Sequence, residues 1–187
     1  MQELRLEGAD WWDCLLLGPG CAEDGSGLLG VVRDWTEGLR ELGLRAAGVA
    51  ASEAPGRPAL ASLSGRDLRA LELPPGDLPP AAVRPLILQS RWVHAALAPW
   101  ALRPLREASL RGLPASLSLG HAAGDQDSLP AAEVLRPARC VLLGTAGALL
   151  GEASRLAQAL SEEGPQEVVV ALDEGGALVW EGSQGLA

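Results

Sequence analysis

The sequence predicts an α/β fold in three layers, a mainly parallel sheet flanked by helices. Three observations carry this. The runs Asp13–Leu17 (DCLLL), Arg139–Leu143 (RCVLL) and Glu167–Leu172 (EVVVAL) are apolar without polar alternation, the pattern of strands buried on both faces. Segments with the 3.6-residue period of helices lie between such runs. The chain has 187 residues, 48% of them hydrophobic and 21% charged, enough for one domain, 1–187, with a sizeable core.

Taken in order, Asp13–Leu17 is a buried strand that runs into a Gly18-Pro19-Gly20 turn. Leu28, Val31, Val32, Trp35, Leu39 and Leu42 then share one face of a helix, with Ser26 as N-cap and Gly43 as the left-handed stop. Ala59–Leu63 and Leu68–Leu73 flank Ser64-Gly65-Arg66-Asp67 as a hairpin, and Pro74–Pro80 is an extended surface linker. Trp92–Leu97 reads as a strand, and Pro104–Arg111 as a short helix with proline in its first turn and Gly112 past its end. Ala115–Leu119 is a strand, and Pro130 is placed to start a short helix. After Arg139–Leu143, the residues Leu149, Ala153, Leu156 and Leu160 mark a helix that Gly164-Pro165 ends. Glu167–Leu172 turns at Asp173–Gly176 into a hairpin return over Ala177–Trp180.

Composition excludes several function classes. The formal charge is −9, a poor match to a phosphate backbone, so nucleic acid is not an expected partner. No apolar stretch is long enough to span a bilayer, and no basic region precedes the first one, so neither membrane nor secretion is expected. Cys14, Cys21 and Cys140 are odd in number and widely spaced, which fits a reducing, cytoplasmic setting and gives no metal-ligand pattern. Lys, Asn, Phe and Tyr are absent and Ile87 is the sole isoleucine, the signature of a GC-rich gene. Without lysine there is no Schiff base and no P-loop lysine.

Ser/His/Asp spacing, HExxH, CxxC and a nucleophile elbow are also absent. What remains is a set of glycine-rich turns. Gly144-Thr145-Ala146-Gly147, between a strand and a helix, is the best anion site by chemistry, since free N–H groups and the helix dipole favour a phosphate or carboxylate. The favoured reading is a tight strand-to-helix turn in which glycine only permits the geometry. Gly18–Gly27, with Glu23 and Asp24, is either a ligand loop at a strand's carboxyl end or a bare loop. His94 sits in an apolar run as a core histidine, while His121, after Gly120 at a strand end, is the one of the two expected to face a cleft. Trp35 belongs to the core of its helix; Trp11, Trp12, Trp92, Trp100 and Trp180 are core or an association surface.

The stretch Leu135–Gly151, the helix after it and Gln166–Trp180 together resemble part of the PfkB/ribokinase family of carbohydrate kinases. Gly20-Cys-Ala-Glu-Asp-Gly-Ser-Gly27 and the helix that leads to Leu42–Val49 are similar to the family's Gly-x-Asp-x-x-Gly region. The resemblance implies a ribokinase-like domain with a reduced β lid over 59–73 and Gly144, Thr145, Gly147, Asp173, Gly175 and Gly176 at a nucleotide site. It further implies Glu23, Asp24, Gly25, Gly27 and His121 at a substrate site, with ATP and Mg2+ as cofactors of an active member.

The departures shape the expected function. The family's Asn-x-x-Glu falls on Gly144 and Gly147, and its Thr-x-Gly on Ala171 and Asp173. Its Gly-Ala-Gly-Asp is expected beyond Ala187; Ala122-Ala123-Gly124-Asp125 carries similar letters and makes Asp125 the candidate catalytic base. Phosphoryl transfer rests on positioning and charge neutralisation, so a chain short of these parts is expected to bind a sugar, nucleoside or phosphorylated ligand with weak or no transfer. The alternatives are an active ATP-dependent sugar kinase completed by a partner subunit, and a non-catalytic interaction module. Homo-oligomerisation is one physical remedy for unpaired edges and faces.

Overall fold

The computed structural model describes residues 11–19, 30–51, 60–64, 67–71, 80–122, 130–145, 149–172, 176–182 and 185–186. The chain has the predicted α/β fold, and its internal contacts divide it into two compact units, Met1–Leu113 and Pro114–Ala187.

In the first unit β1 (Cys14–Pro19) is central, pairing in parallel with β2 (Ala46–Ala51) on one side and β5 (Val93–Ala96) on the other. β3 (Leu60–Ser64) and β4 (Asp67–Leu71) continue from β2 as antiparallel strands, so the expected hairpin is present with its ends shifted by one or two residues. Helix α1 (Gly30–Glu41) connects β1 to β2 and covers one face. Cys14, Leu16, Val32 and Ala50 form the core there, joined by Trp35, Leu39 and Trp92. Gly18 makes the close approach possible: a Cβ on it would lie 2.7 Å from Val32 Cγ2 and 3.3 Å from Ala96 Cβ. Leu15 and Leu17, on the opposite face of β1, are also fully buried. That is the side to which right-handed crossovers carry α2 (Pro80–Leu88), and α3 (Pro99–Leu110) packs on α2 and β5. Arg84 of α2 reaches Glu107 of α3 at 2.7 Å, tying the two helices together, and Arg111, at the end of α3 itself, reaches the same carboxylate at 3.1 Å.

The second unit carries β6 (Ala115–Ala122), α4 (Ala132–Leu135), β7 (Cys140–Thr145), α5 (Leu150–Glu162) and β8 (Glu167–Leu172), with β6, β7 and β8 parallel in that order. β9 (Gly176–Glu181) returns antiparallel to β8 and is followed by the two-residue β10 (Gly185–Leu186). Ala153, Leu156, Ala157 and Leu160 are the buried face of α5, which packs on β8 and β9.

Several boundaries differ from the sequence reading. Gly18 and Pro19 extend β1 instead of turning, because they pair with Ala50 and Ala51 of β2. Leu42 leaves the apolar face of α1: Gly43, at φ +81°, stops the helix with its N–H on the Arg40 carbonyl, and Leu42 swings into solvent. Helix α3 begins at Pro99, so Pro104 lies inside it and is buried against the core. The prolines at 85 and 104 are both tolerated within helices that tertiary packing holds. Ser26 and the Pro74–Pro79 linker lie outside the described residues, whereas Pro80 opens α2.

Candidate functional site

Parallel strands bring their carboxyl ends to one edge, and in the second unit that edge collects the sequence-predicted residues. The register sets Ala122, Thr145 and Leu172 side by side on β6, β7 and β8, and pairs Leu172 with Gly176 of β9. The preceding row is His121, Gly144, Ala171 and Ala177. Four candidate positions, His121, Gly144, Thr145 and Gly176, therefore occupy two adjacent rows at one end of four strands.

A bulge in β6 creates this alignment. Between Ser118, opposite Leu142, and His121, opposite Gly144, β6 advances three residues while β7 advances two. Gly120, at φ +74°, absorbs the extra residue, and its N–H donates to Ser118 Oγ at 3.4 Å. Gly176, at φ +88°, makes the turn into β9 with the same conformational freedom.

Two polar groups at this edge are already engaged. Thr145 is buried, and its hydroxyl donates to the Ala171 carbonyl at 3.1 Å, joining β7 to β8 through a side chain. Glu152, in the first turn of α5, accepts the Leu149 N–H on Oε2 at 3.0 Å. Its carboxylate so satisfies one of the donors that a helix start leaves unpaired, and it sits where the macrodipole favours negative charge. Sequence reasoning missed Glu152 because an acid at the third helical position signals a cap when Ser, Thr, Asp or Asn precedes it, and here the position holds leucine.

In the first unit, β1 lies between the strand it leads to and β5, the arrangement that opens a crevice at carboxyl ends in doubly wound sheets. Trp100, in the first turn of α3 just past β5, has a buried indole N–H with no acceptor among the described residues, a second feature absent from the sequence reading. His94 is not at that end. It registers with Leu16, under α1, with its ring edge-on to Trp35 at 4.5 Å and 69°, and burial pushes its pKa down to about 4. It is the core histidine the sequence suggested. The Cys14 thiol is pushed up to about 12, first by burial and then by the charge of Asp13, and Cys140 to about 11 by burial and Glu167. Both are inert as nucleophiles near neutrality.

Asp125, the candidate base, lies outside the described residues, as do Glu23, Asp24, Gly25, Gly27, Gly147, Asp173 and Gly175. Among the described residues no three His, Cys, Asp or Glu side chains gather in a group able to hold a metal ion. No described helix is long and apolar enough to cross a membrane.

No family model matches the chain, and no curated protein matches it in sequence. Solved structures do match in architecture. A microbiome-derived acarbose kinase superposes with a TM-score of 0.54 over 94% of this chain and 75% of its own, at 18% identity. The fold is ribokinase-like. The same TM-score links it to a PfkB protein from Polaromonas sp. JS666, over 94% of this chain and 81% of that one at 14% identity. A phosphomethylpyrimidine kinase from Clostridium difficile 630 also scores 0.54, over 93% and 82% at 10% identity. The ribokinase-like topology places the two carboxyl-end rows of the second unit on the side of the strands where open α/β sheets bind ligands.

Proposed function

We propose that this chain is a degenerate ribokinase-like domain that binds a small sugar, nucleoside or phosphorylated ligand and transfers phosphate weakly or not at all. One observation carries the reading: the β6 bulge that brings His121 level with Gly144, beside the Thr145–Leu172–Gly176 row, at the carboxyl ends of parallel strands. Bulges recur beside binding sites because they re-aim one residue without disturbing the sheet below.

The described residues do not by themselves suit Mg2+-ATP. The one hydroxyl of the row, on Thr145, already gives its proton to Ala171, and the Glu152 carboxylate holds the start of α5. A polyphosphate laid over that helix start meets a like charge, whereas a neutral polyol does not. The positions that the kinase resemblance assigns to Asn-x-x-Glu hold Gly144 and Gly147, without an amide or a carboxylate. Within the proposed class the neutral sugars and nucleosides are thus favoured over their phosphates.

Titration calorimetry of the full chain against neutral pentoses, hexoses and nucleosides, and against the corresponding monophosphates, tests this. Binding of a neutral member, with no ADP formed from Mg2+-ATP above background, is the expected result. Absence of binding across both panels overturns the ligand-binding reading, and sustained ADP production that depends on the sugar overturns the degenerate one.

A further inference from the structure

Charge is spread unevenly along this acidic chain. Residues 80–113, all of them described, hold five arginines and one acid, Glu107, so the rest of the chain carries −13 against a total of −9. Arg91 of that stretch is paired with Asp13. The other four, Arg84 of α2 with Arg103, Arg106 and Arg111 on or just past α3, are exposed on the helix pair. Helix geometry makes the α3 members one row. Arg103, Arg106 and Leu110 are spaced three and four residues apart and follow one another along one face, with Arg111 beside Leu110 and one turn beyond Glu107. The opposite face holds Ala101, Pro104, Leu105 and Ala108, all buried. Leu110 is 83% exposed, an apolar side chain standing among cations.

The row already holds one carboxylate. Glu107 Oε1 accepts from Arg84 Nε at 2.7 Å and from Arg111 Nε and Nη2 at 3.3 and 3.1 Å. One carboxylate is thus shared by two guanidinium groups, which leaves the trio with an excess positive charge. Arg103, one turn before Glu107, has no ion-pair partner among the described residues and adds a second uncompensated cation. The planar fork of arginine suits further carboxylates, and Leu110 offers an apolar contact between them.

We propose that the outer face of α3, together with Arg84, docks an acidic, leucine-bearing segment of a partner protein. A short segment brings its carboxylates to this face alone. A second copy of the chain instead brings −9 against −9, and arginine against arginine where the two faces meet. A nucleic acid or an anionic bilayer extends past one helix face toward surface that shares the chain's negative charge. Fluorescence anisotropy on the full chain tests this with a labelled peptide of about four helical turns, its glutamates at helical spacing around one leucine. Binding in the micromolar range is expected, weakening at least about tenfold between about 50 and about 300 mM salt. Arg103→Glu is expected to weaken it about tenfold and Leu110→Ser about threefold, and the same peptide with glutamine for glutamate is expected not to bind. Both variants replace exposed side chains and are expected to keep the unfolding temperature of the parent, which calorimetry verifies on the same samples. No binding of the acidic peptide by the parent, or equal binding by both folded variants, overturns the proposal. So does tighter binding of a single-stranded oligonucleotide or of phosphatidylserine vesicles that Arg103→Glu abolishes, or self-association of the parent, without peptide, that the same variant removes in sedimentation velocity.

Discussion

His94 gives the sharpest energetic prediction. Its ring is enclosed by α1 and β5, edge-on to Trp35 and beside the Cys14 strand, and it stays neutral in the fold until about pH 4. The unfolded chain takes up the proton near 6.5. The imidazole therefore costs no stability above pH 6.5, and the fold loses stability as pH falls through the window from 6.5 to 4. Each unit of difference is 1.36 kcal/mol, so the full loss is roughly 3 kcal/mol and about 2 kcal/mol of it is gone by pH 5. Against a typical domain stability of about 5–15 kcal/mol that is a large fraction. Urea unfolding at pH 7, 6 and 5 measures it, with His94→Gln as the reference that cannot titrate. The carboxylates contribute equally to both proteins, so the stability difference between parent and variant isolates the histidine. That difference is expected to shift by about 2 kcal/mol against the parent between pH 7 and pH 5. A difference that does not change with pH refutes the argument that burial of His94 controls its proton.

Two further outcomes follow from packing. Gly18→Ala drives a methyl group into Val32 and is expected to cost about 1–3 kcal/mol by chemical denaturation, part of which Val32→Ala restores by making room. Both Cys14 and Cys140, buried with thiols held well above the usual range, are expected to resist alkylation in the native protein at pH 8 and to react fully in urea, which peptide mass mapping resolves site by site.

Where local sequence and tertiary environment agree, the sequence was readable. Glu167–Leu172 matches β8 to the residue because four of its six side chains are Val or Leu and turn signals bound it. Strand β2, AAGVAA, was not read as a strand, since alanine and glycine carry little β preference; it forms because β1 pairs along its whole length. The start of α3 was misplaced because two prolines, 99 and 104, compete for the first turn, and packing on β5 decides between them. The site was legible as positions and not as chemistry. Gly144 and Thr145 stand out in the sequence, but nothing there shows that the Thr145 hydroxyl is spent on Ala171 or that Glu152 closes the helix start. Those are contacts across strands and turns, invisible to periodicity.

The extra residue in β6 also bears on how this chain should be compared with others. An ungapped alignment of Ala115–Ala122 to an unbulged strand is in phase through Ser118 and one position out from His121 onward. Removal of Gly120 would draw the segment back into step, with Leu119 alone between Ser118 and His121 and so opposite Leu143, and with His121 still opposite Gly144. The same eight letters in an unbulged strand would instead set Gly120 opposite Gly144 and His121 opposite Thr145, so the bulge, and not the letters alone, governs which residue the edge presents.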